Sequence, residues 1–318
     1  MRRGSRSAGA STSVLNRSPN IWLKHKGRSV QAVLELLQRR QAEALSRLEA
    51  RSTEIAQEPI FIPGLGQWFR AMPNWLARSS VFAPIAKGRE ITHNKAVLVS
   101  RSDARIIYTG PQLDEPKADV WMQLLSMAKA FPLGAEVVVN RSALLRSLGR
   151  GAGGREYEWL DSTMSSFTKA KLDVEVFRSD RSTKYRIGNT KDFCLLKSYI
   201  SAKQFDTCTF AFDPCWAIAF SGREYALIDW RARRNIRQGN DMAKALQRLV
   251  ATSADETQRF SLEWLMQKLQ YTSPVRKFRL SVQKAMLELE RVGVIADGRI
   301  EVSTRGKPQV VWNRLPRP

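Results

Sequence analysis

Five side chains near the C-terminal end frame the chemistry of this chain. Arg276, Lys277, Arg279, Gln283 and Lys284 fall within nine residues of one another. An arginine fork can take both acceptors of a guanine edge, and a glutamine amide can take the donor and acceptor of adenine. A lysine is a point charge suited to phosphate. Around them Val275, Phe278, Val282, Ala285, Met286, Leu289 and Val292 recur at helical steps. That spacing predicts a helix over 274–292 with these apolar residues as core and the polar set off the stripe, toward the N-terminal half, where a recognition helix meets base edges. Any one of the polar residues is equally well read as a solvated surface; the set points to a polyanion.

A second set lies upstream. Leu160, Met164 and Phe167 make a matching stripe on a helix expected over 155–171, which leaves Arg155, Ser162, Ser165, Ser166 and Lys169 facing outward. Two strands expected over 172–177 and 184–187 enclose a polar tip with Arg178, Arg181 and Lys184. Between the two sets, a join over 225–239 holds Arg231, Arg233, Arg234 and Arg237, enough charge to track a phosphate backbone. Arg305 and Lys307 precede a last strand over 310–312. The expected DNA contacts from these regions are Arg178, Arg181, Lys184, Arg233, Arg234, Arg305 and Lys307, beside the two helix sets.

Catalytic chemistry finds little material. The chain has two histidines, His25 and His93, so no two-histidine metal centre assembles from neighbouring residues. The glycine run from Gly149 to Gly154 lacks the Lys-Ser/Thr of a phosphate loop. Glu156, Glu158 and Asp161 share one helix, where carboxylates near the start favour the dipole. Cys194, Cys208 and Cys215 are odd in number and without metal-binding spacing, and are read as buried thiols in a reducing compartment. Neither an enzyme nor a cofactor or metal is expected.

The elements that must position these residues repeat. Helix over 118–130, strand over 136–139, helix over 142–148, the 155–171 helix and a two-stranded hairpin follow the order of a winged helix-turn-helix. Aromatic strand material over 193–220 is expected to complete that sheet. The order returns with helices over 241–251, 261–269 and 274–292, then a hairpin turned by Asp297 and Gly298. The expected fold class is α+β: two tandem winged helix-turn-helix domains behind a flexible basic N-terminal arm and an amphipathic N-terminal helix. The divisions are 1–54 for arm and helix, 55–82 for a linker, 83–222 for the first winged helix and 223–318 for the second.

Charge agrees with this reading. Lys and Arg number 52 against 30 Asp and Glu, a formal net charge of +22 over 318 residues. Such a balance seeks nucleic acid or an acidic surface. No apolar run approaches the roughly 20 residues of a spanning helix, so a soluble chain is expected. Residues 1–20 contain no acid and suit either an arm on phosphates or a solvated tail. No apolar leader segment follows them, and a bacterial cytoplasmic location is expected. The amphipathic run over 29–48 either packs on the body or contacts a partner. The Pro- and Gly-rich stretch over 55–74 holds Ile60, Phe61, Trp68 and Phe69 and either folds back or is presented to a partner.

Several blocks make the chain resemble the TrfA family of plasmid replication initiators from about residue 57 onward. They are Arg70-Ala71-Met72-Pro73-Asn74 with Ala77-Arg78-Ser79 and Phe82, Tyr108-Thr109-Gly110 with Leu113, Val120-Trp121 through Ala128-Lys129, Gly154-Arg155 with Tyr157, and Leu287-Glu288-Leu289. The first is the most specific, since it follows no generic fold pattern. The resemblance implies an initiator that binds repeated origin sequences (iterons) in double-stranded plasmid DNA, promotes opening of the origin, and brings in host initiator and replicative helicase machinery. It also implies a monomer–dimer equilibrium and a sliding-clamp peptide, here Gln57-Glu58-Pro59-Ile60-Phe61, with Gln57, Ile60 and Phe61 as its contacts. An ordinary linker docked on the domain is the other reading of that segment. Two further functions fit the same motifs: a transcriptional repressor, and a structural or partition DNA-binding protein.

Overall fold

The computed structural model describes residues 66–316, apart from 87, 90 and 189–191, together with the helical, exposed Glu35, Arg39 and Glu43. The chain divides into one compact unit over 1–59 and a second over 60–318. Within the second unit the secondary structure is mixed α+β, and two hydrophobic clusters form its cores.

Strand β1 (Phe69–Pro73) and helix α1 (Asn74–Arg78) lead into a hairpin of β2 (Thr92–Leu98) and β3 (Ala104–Pro111). Helix α2 (Glu115–Ala128) starts where the Asp114 carboxylate accepts from the Lys117 N–H and Pro116 sits in the first turn, where its missing N–H costs nothing. Strand β4 (Glu136–Asn140), α3 (Arg141–Ser147) and α4 (Gly154–Lys169) follow. Asn140 caps α3 through Ala143 N–H. Strands β5 (Lys171–Phe177) and β6 (Thr183–Ile187) form the hairpin after α4, and β3 pairs with β5 on its other edge. Strands β7 (Phe193–Cys194), β8 (Ser198–Ala202) and β9 (Thr207–Ala211), helix α5 (Trp216–Ser221) and β10 (Tyr225–Asp229) complete this region. Next, α6 (Trp230–Asn235) leads to a second succession: α7 (Asp241–Val250), β11 (Thr257–Ser261), α8 (Leu262–Lys268), α9 (Val275–Arg291), β12 (Ile295–Val302) and β13 (Pro308–Arg314). The order helix, strand, helix, helix, hairpin therefore occurs twice.

The first core gathers on aromatic rings. Trp216 is fully buried, stacks on Trp75 at 5.8 Å between centroids, and meets Trp121 at 4.9 Å and Phe193 at 4.8 Å. Its indole N–H donates to the Cys194 carbonyl at 3.1 Å, so the buried donor is satisfied. The second core is smaller and centres on Phe278, Val282, Met286 and Leu289 of α9 against α7 and Trp312 of β13.

Two expectations change on contact with the fold. Of the aromatic stretch over 193–220, only Phe193–Cys194 joins the sheet of β5; β8 and β9 instead pair with β4 as a separate sheet, and Trp216–Ser221 is a helix. Asp297 and Gly298 do not turn a hairpin. They form a bulge inside β12, where the register shifts between Ala296 and Arg299 and Asp297 takes φ +53°. The actual turn lies at Ser303–Lys307, closed by the Ser303 N–H on the Lys307 carbonyl. The β2–β3 hairpin and the β1–β10 pairing had no counterpart in the sequence reading. The latter seats the Arg70–Pro73 block against Tyr225–Ile228, so the region from Phe69 folds back onto the body.

A buried ionic network ties the two successions together. Glu115 of α2, fully buried, binds Arg233 of α6 at 2.9 Å and also Arg248 of α7. Asp119 binds Arg233 and, at 2.5 Å, Lys244. Arg248 further donates to the Phe82 carbonyl at 3.0 Å, and Arg233 to the Lys244 carbonyl at 2.9 Å. Burial alone would raise the Glu115 carboxyl, but Arg248 and Arg233 outweigh it and hold the group at about 2.

Lys268 of α8 is also fully buried and donates to the Ser79 carbonyl at 3.2 Å. Burial, reinforced by Arg248, pushes its amine down from 10.5 to about 7. The folded chain thus binds fewer protons than the unfolded chain between about pH 7 and 10.5, and stability contributed by this group rises with pH across that window. Lys268→Met is expected to raise stability at pH 7 and to flatten this rise. Urea unfolding at a series of pH values checks it; an unchanged pH slope would refute the assignment.

Candidate nucleic-acid interface

Helix α9 carries the clearest candidate surface. Phe278, Val282, Ala285, Met286 and Leu289 are buried, while Arg276, Lys277, Arg279, Gln283 and Lys284 are exposed. None of these four cations forms an ion pair among the described residues, so their charge is available to an outside partner. Val275 and Val292 were expected in the core. Val275 is instead 52% exposed, because it sits in the first turn beyond the reach of α7, and Val292 is partly buried at the C-cap. Pro274 precedes the helix and sets its start without contributing a donor.

The back of α9 is anchored to the join. Glu288 accepts from the Arg237 N–H at 2.7 Å and from Arg291, and Arg291 also donates to the Asn235 carbonyl at 2.6 Å. The outward basic face is therefore held on a fixed helix rather than on a loop. Arg305 and Lys307 are exposed at the turn between β12 and β13. A polar tip on a two-stranded projection suits contact with phosphates beside a groove.

Helix α4 differs. Leu160, Met164 and Phe167 are buried as expected; Arg155, Ser162 and Lys169 are exposed and Ser165 is partly exposed. Ser166 is buried and donates to the Thr163 carbonyl at 2.6 Å, so it does not face outward. Its position beside Phe167, on the flank of the apolar stripe, is the reason. Two of the acids on this helix are structural ligands: Asp161 takes Arg141 at 2.9 Å and the Tyr199 hydroxyl, and Glu156 takes Arg150 at 2.7 Å, while Glu158 is exposed. The outward edge of α4 lines a cleft of about 650 Å³ that Ile85, Ala86, Gly88, Arg89, Ile91 and Thr92 also line. That cleft adds Arg89, Lys117 and Arg150, none of which the sequence reading had singled out. The signal for Arg150 was local: its guanidinium lies over the Trp159 ring at 3.6 Å, across the glycine break.

At the tip between β5 and β6, Arg178 and Arg181 are exposed, with Arg178 donating to the Thr183 carbonyl at 2.7 Å. Lys184 is half-buried in an ion pair with Glu224 at 2.6 Å. The join separates Arg233 from Arg234. Arg234 is exposed and donates to the Ser147 carbonyl, whereas Arg233 is buried between Glu115 and Asp119 and offers no face to phosphate. The expected role of Arg233 in DNA contact is thereby corrected: α6 turns it inward. Cys194 and Cys208 are buried and Cys215 is partly buried. Among the described residues no cluster of potential metal ligands forms, and no helix is long and apolar enough to cross a membrane. Gln57, Ile60 and Phe61 lie outside the described residues.

Residues 35–302 match the family model described as TrfA protein. A plasmid replication initiator protein TrfA of Escherichia coli is 26% identical over 205 residues, which cover 62% of this chain and 52% of that protein. The chain thus spans about half the length of this curated relative. Among solved structures, a crystal structure of domains 2 and 3 of RctB has 12% identity and a TM-score of 0.48, covering 77% of this chain and 99% of that one. A second crystal structure of RctB domains 2–3 has 12% identity and a TM-score of 0.45, covering 76% and 96%.

The placement of Arg233 has a direct consequence. Arg233→Ala leaves the Glu115 and Asp119 carboxylates short of a buried partner and is expected to cost about 3–5 kcal/mol of stability. Arg234→Ala, at an exposed position, should cost about 1 kcal/mol or less. Urea titration of both variants tests this, and equal, small losses would contradict the buried assignment.

Proposed function

Since the chain belongs to the TrfA family, we propose that it is a plasmid replication initiator that binds repeated origin sequences in double-stranded DNA. On this reading the two successions of helix, strand, helix, helix and hairpin are tandem winged helices, with α9 and α4 as their recognition helices. The observation that carries the proposal is the exposed set of Arg276, Lys277, Arg279, Gln283 and Lys284 on a helix whose opposite face is fully packed. An initiator needs a rigid helix bearing bidentate donors toward base edges and point charges toward the backbone, and α9 supplies both. Its role is binding and recruitment without catalysis, in the bacterial cytoplasm. Bound at the origin, it promotes opening of the duplex, brings in the host initiator and replicative helicase, and exchanges between dimer and DNA-binding monomer.

The turn at Arg305–Lys307 and the tip at Arg178–Arg181 would lie on phosphates flanking the two grooves. Arg155, Ser162, Ser165 and Lys169 would hold the first unit in register. Arg276→Ala and Arg279→Ala are expected to lose about 1–3 kcal/mol of discrimination between origin repeats and random DNA for each bidentate contact removed. Lys277→Ala should weaken both classes of DNA alike and reduce the slope of log affinity against log salt by about 0.9. Binding isotherms across a salt series measure all three, and unchanged repeat binding in every variant would overturn the recognition role of α9.

Recruitment of the sliding clamp is assigned to Gln57, Ile60 and Phe61. An extended peptide of this kind inserts two apolar side chains into a pocket while the glutamine supplies hydrogen bonds. Ile60→Ala with Phe61→Ala should abolish binding to the replicative clamp while leaving DNA affinity intact. Retained clamp binding would leave the segment as an ordinary linker.

A further inference from the structure

Directly opposite the buried stripe of α9 stands a leucine. At about 100° per residue, the mean direction of Phe278, Val282, Ala285, Met286 and Leu289 lies about 180° from Leu280. Leu280 is 54% exposed, at the crest of the same face that carries the polar set. Arg276 lies one turn before it, and Gln283 and Lys284 lie one turn after it. Leu287, also exposed, points in nearly the same direction but about 10 Å further along the axis. A protein-docking surface would present a contiguous apolar patch, and here the leucine is framed by polar side chains instead. The surroundings match the floor of a major groove, where hydrogen-bonding edges surround one kind of apolar group, the thymine 5-methyl.

We propose that Leu280 reads thymine, packing on a 5-methyl group in the major groove while Arg276 and Gln283 bond neighbouring base edges. The inference rests on the DNA-reading role of α9 given above and names what that helix selects: a site with a thymine at the centre of its contact. An exposed leucine gains nothing in water at this position. Against a methyl it buries apolar area on both partners, and the loss of one methyl corresponds to about a fourfold change in affinity.

The full chain is used to select its preferred duplex from a randomised library. Each thymine of that duplex is then replaced singly by deoxyuridine, which lacks only the methyl and keeps every hydrogen-bonding group. The expected result is a loss of about fourfold at one position or more for the unaltered chain. Leu280→Ala should bind the thymine and uracil duplexes alike at that position, at the level of the uracil complex, and Leu280→Met should retain the difference. Uracil tolerated everywhere by the unaltered chain, or a penalty that persists in Leu280→Ala, would overturn the proposal while leaving DNA reading by α9 intact. Failure to enrich any sequence would overturn the DNA-reading role itself and this inference with it. Because Leu280 projects into solvent, thermal melting of both variants should match that of the unaltered chain.

Discussion

Glu115 is the charge around which the two halves of the described unit are arranged. Its carboxylate is fully buried, and it can remain ionised there only because Arg233 and Arg248 reach it from α6 and α7. Desolvating three charges costs several kcal/mol each, and the mutual attraction returns that only in close geometry with the remaining hydrogen bonds satisfied. They are satisfied by backbone carbonyls of both regions, Phe82 on one side and Lys244 on the other. A network with that many fixed partners has few alternative arrangements. It acts less as a source of net stability than as a gauge that sets one helix succession against the other.

That gauge also takes one arginine of a basic segment out of contact with solvent. The join over 225–239 carries four arginines, yet β10 pairs with β1, α6 turns Arg233 inward, and Arg237 offers its backbone to Glu288. Each element of the join is thus held in place, with Arg233 buried and Arg231, Arg234 and Arg237 left exposed. Exposed basic side chains remain there as well as on α9 and at the two hairpin turns. Recognition by rigid elements gains from this, since a base-edge contact misplaced by an ångström loses most of its value.

Legibility followed the strength of periodic patterning. Helix α9 was visible because its buried residues repeat cleanly, and its polar set was visible because four of five members are charged. What failed had a physical reason in each case. Ser166 lies on the flank of the apolar stripe beside Phe167, and the burial of Arg233 depends on Glu115 and Asp119, distant in sequence. Asp297-Gly298 has the chemistry of a turn, but the pairing of β12 with β13 extends past it and converts it to a bulge. The hairpin of β2 and β3 was not read at all, although its Gly110 explains part of a family block: it takes φ +140°, and a Cβ there would meet the Lys169 carbonyl at 2.7 Å. The cleft beside α4 also depends on Ile85, Ala86, Gly88, Arg89 and Ile91, which follow no regular pattern to announce it.

The two helices α9 and α4, recognition helices on the proposed reading, are therefore unequal in their chemistry. On α9 long side chains surround an exposed leucine, and among the described residues none of Arg276, Lys277, Arg279 and Lys284 is ion-paired within the chain. On α4 the outward positions at mid-helix are Ser162 and Ser165, the acids Glu156 and Asp161 are committed to Arg150 and Arg141, and the rim of a cleft stands opposite. A serine hydroxyl reaches little beyond the helix backbone, so α4 touches bases only if it sits deep in a groove, and the facing loop restricts that approach. Arg155 and Lys169, at opposite ends of α4, are placed instead to grip phosphates on either side of it. Within the initiator reading, the physical division of labour follows: α9 discriminates sequence, while α4 fixes orientation through the backbone, with the Glu115 network keeping the two at one separation.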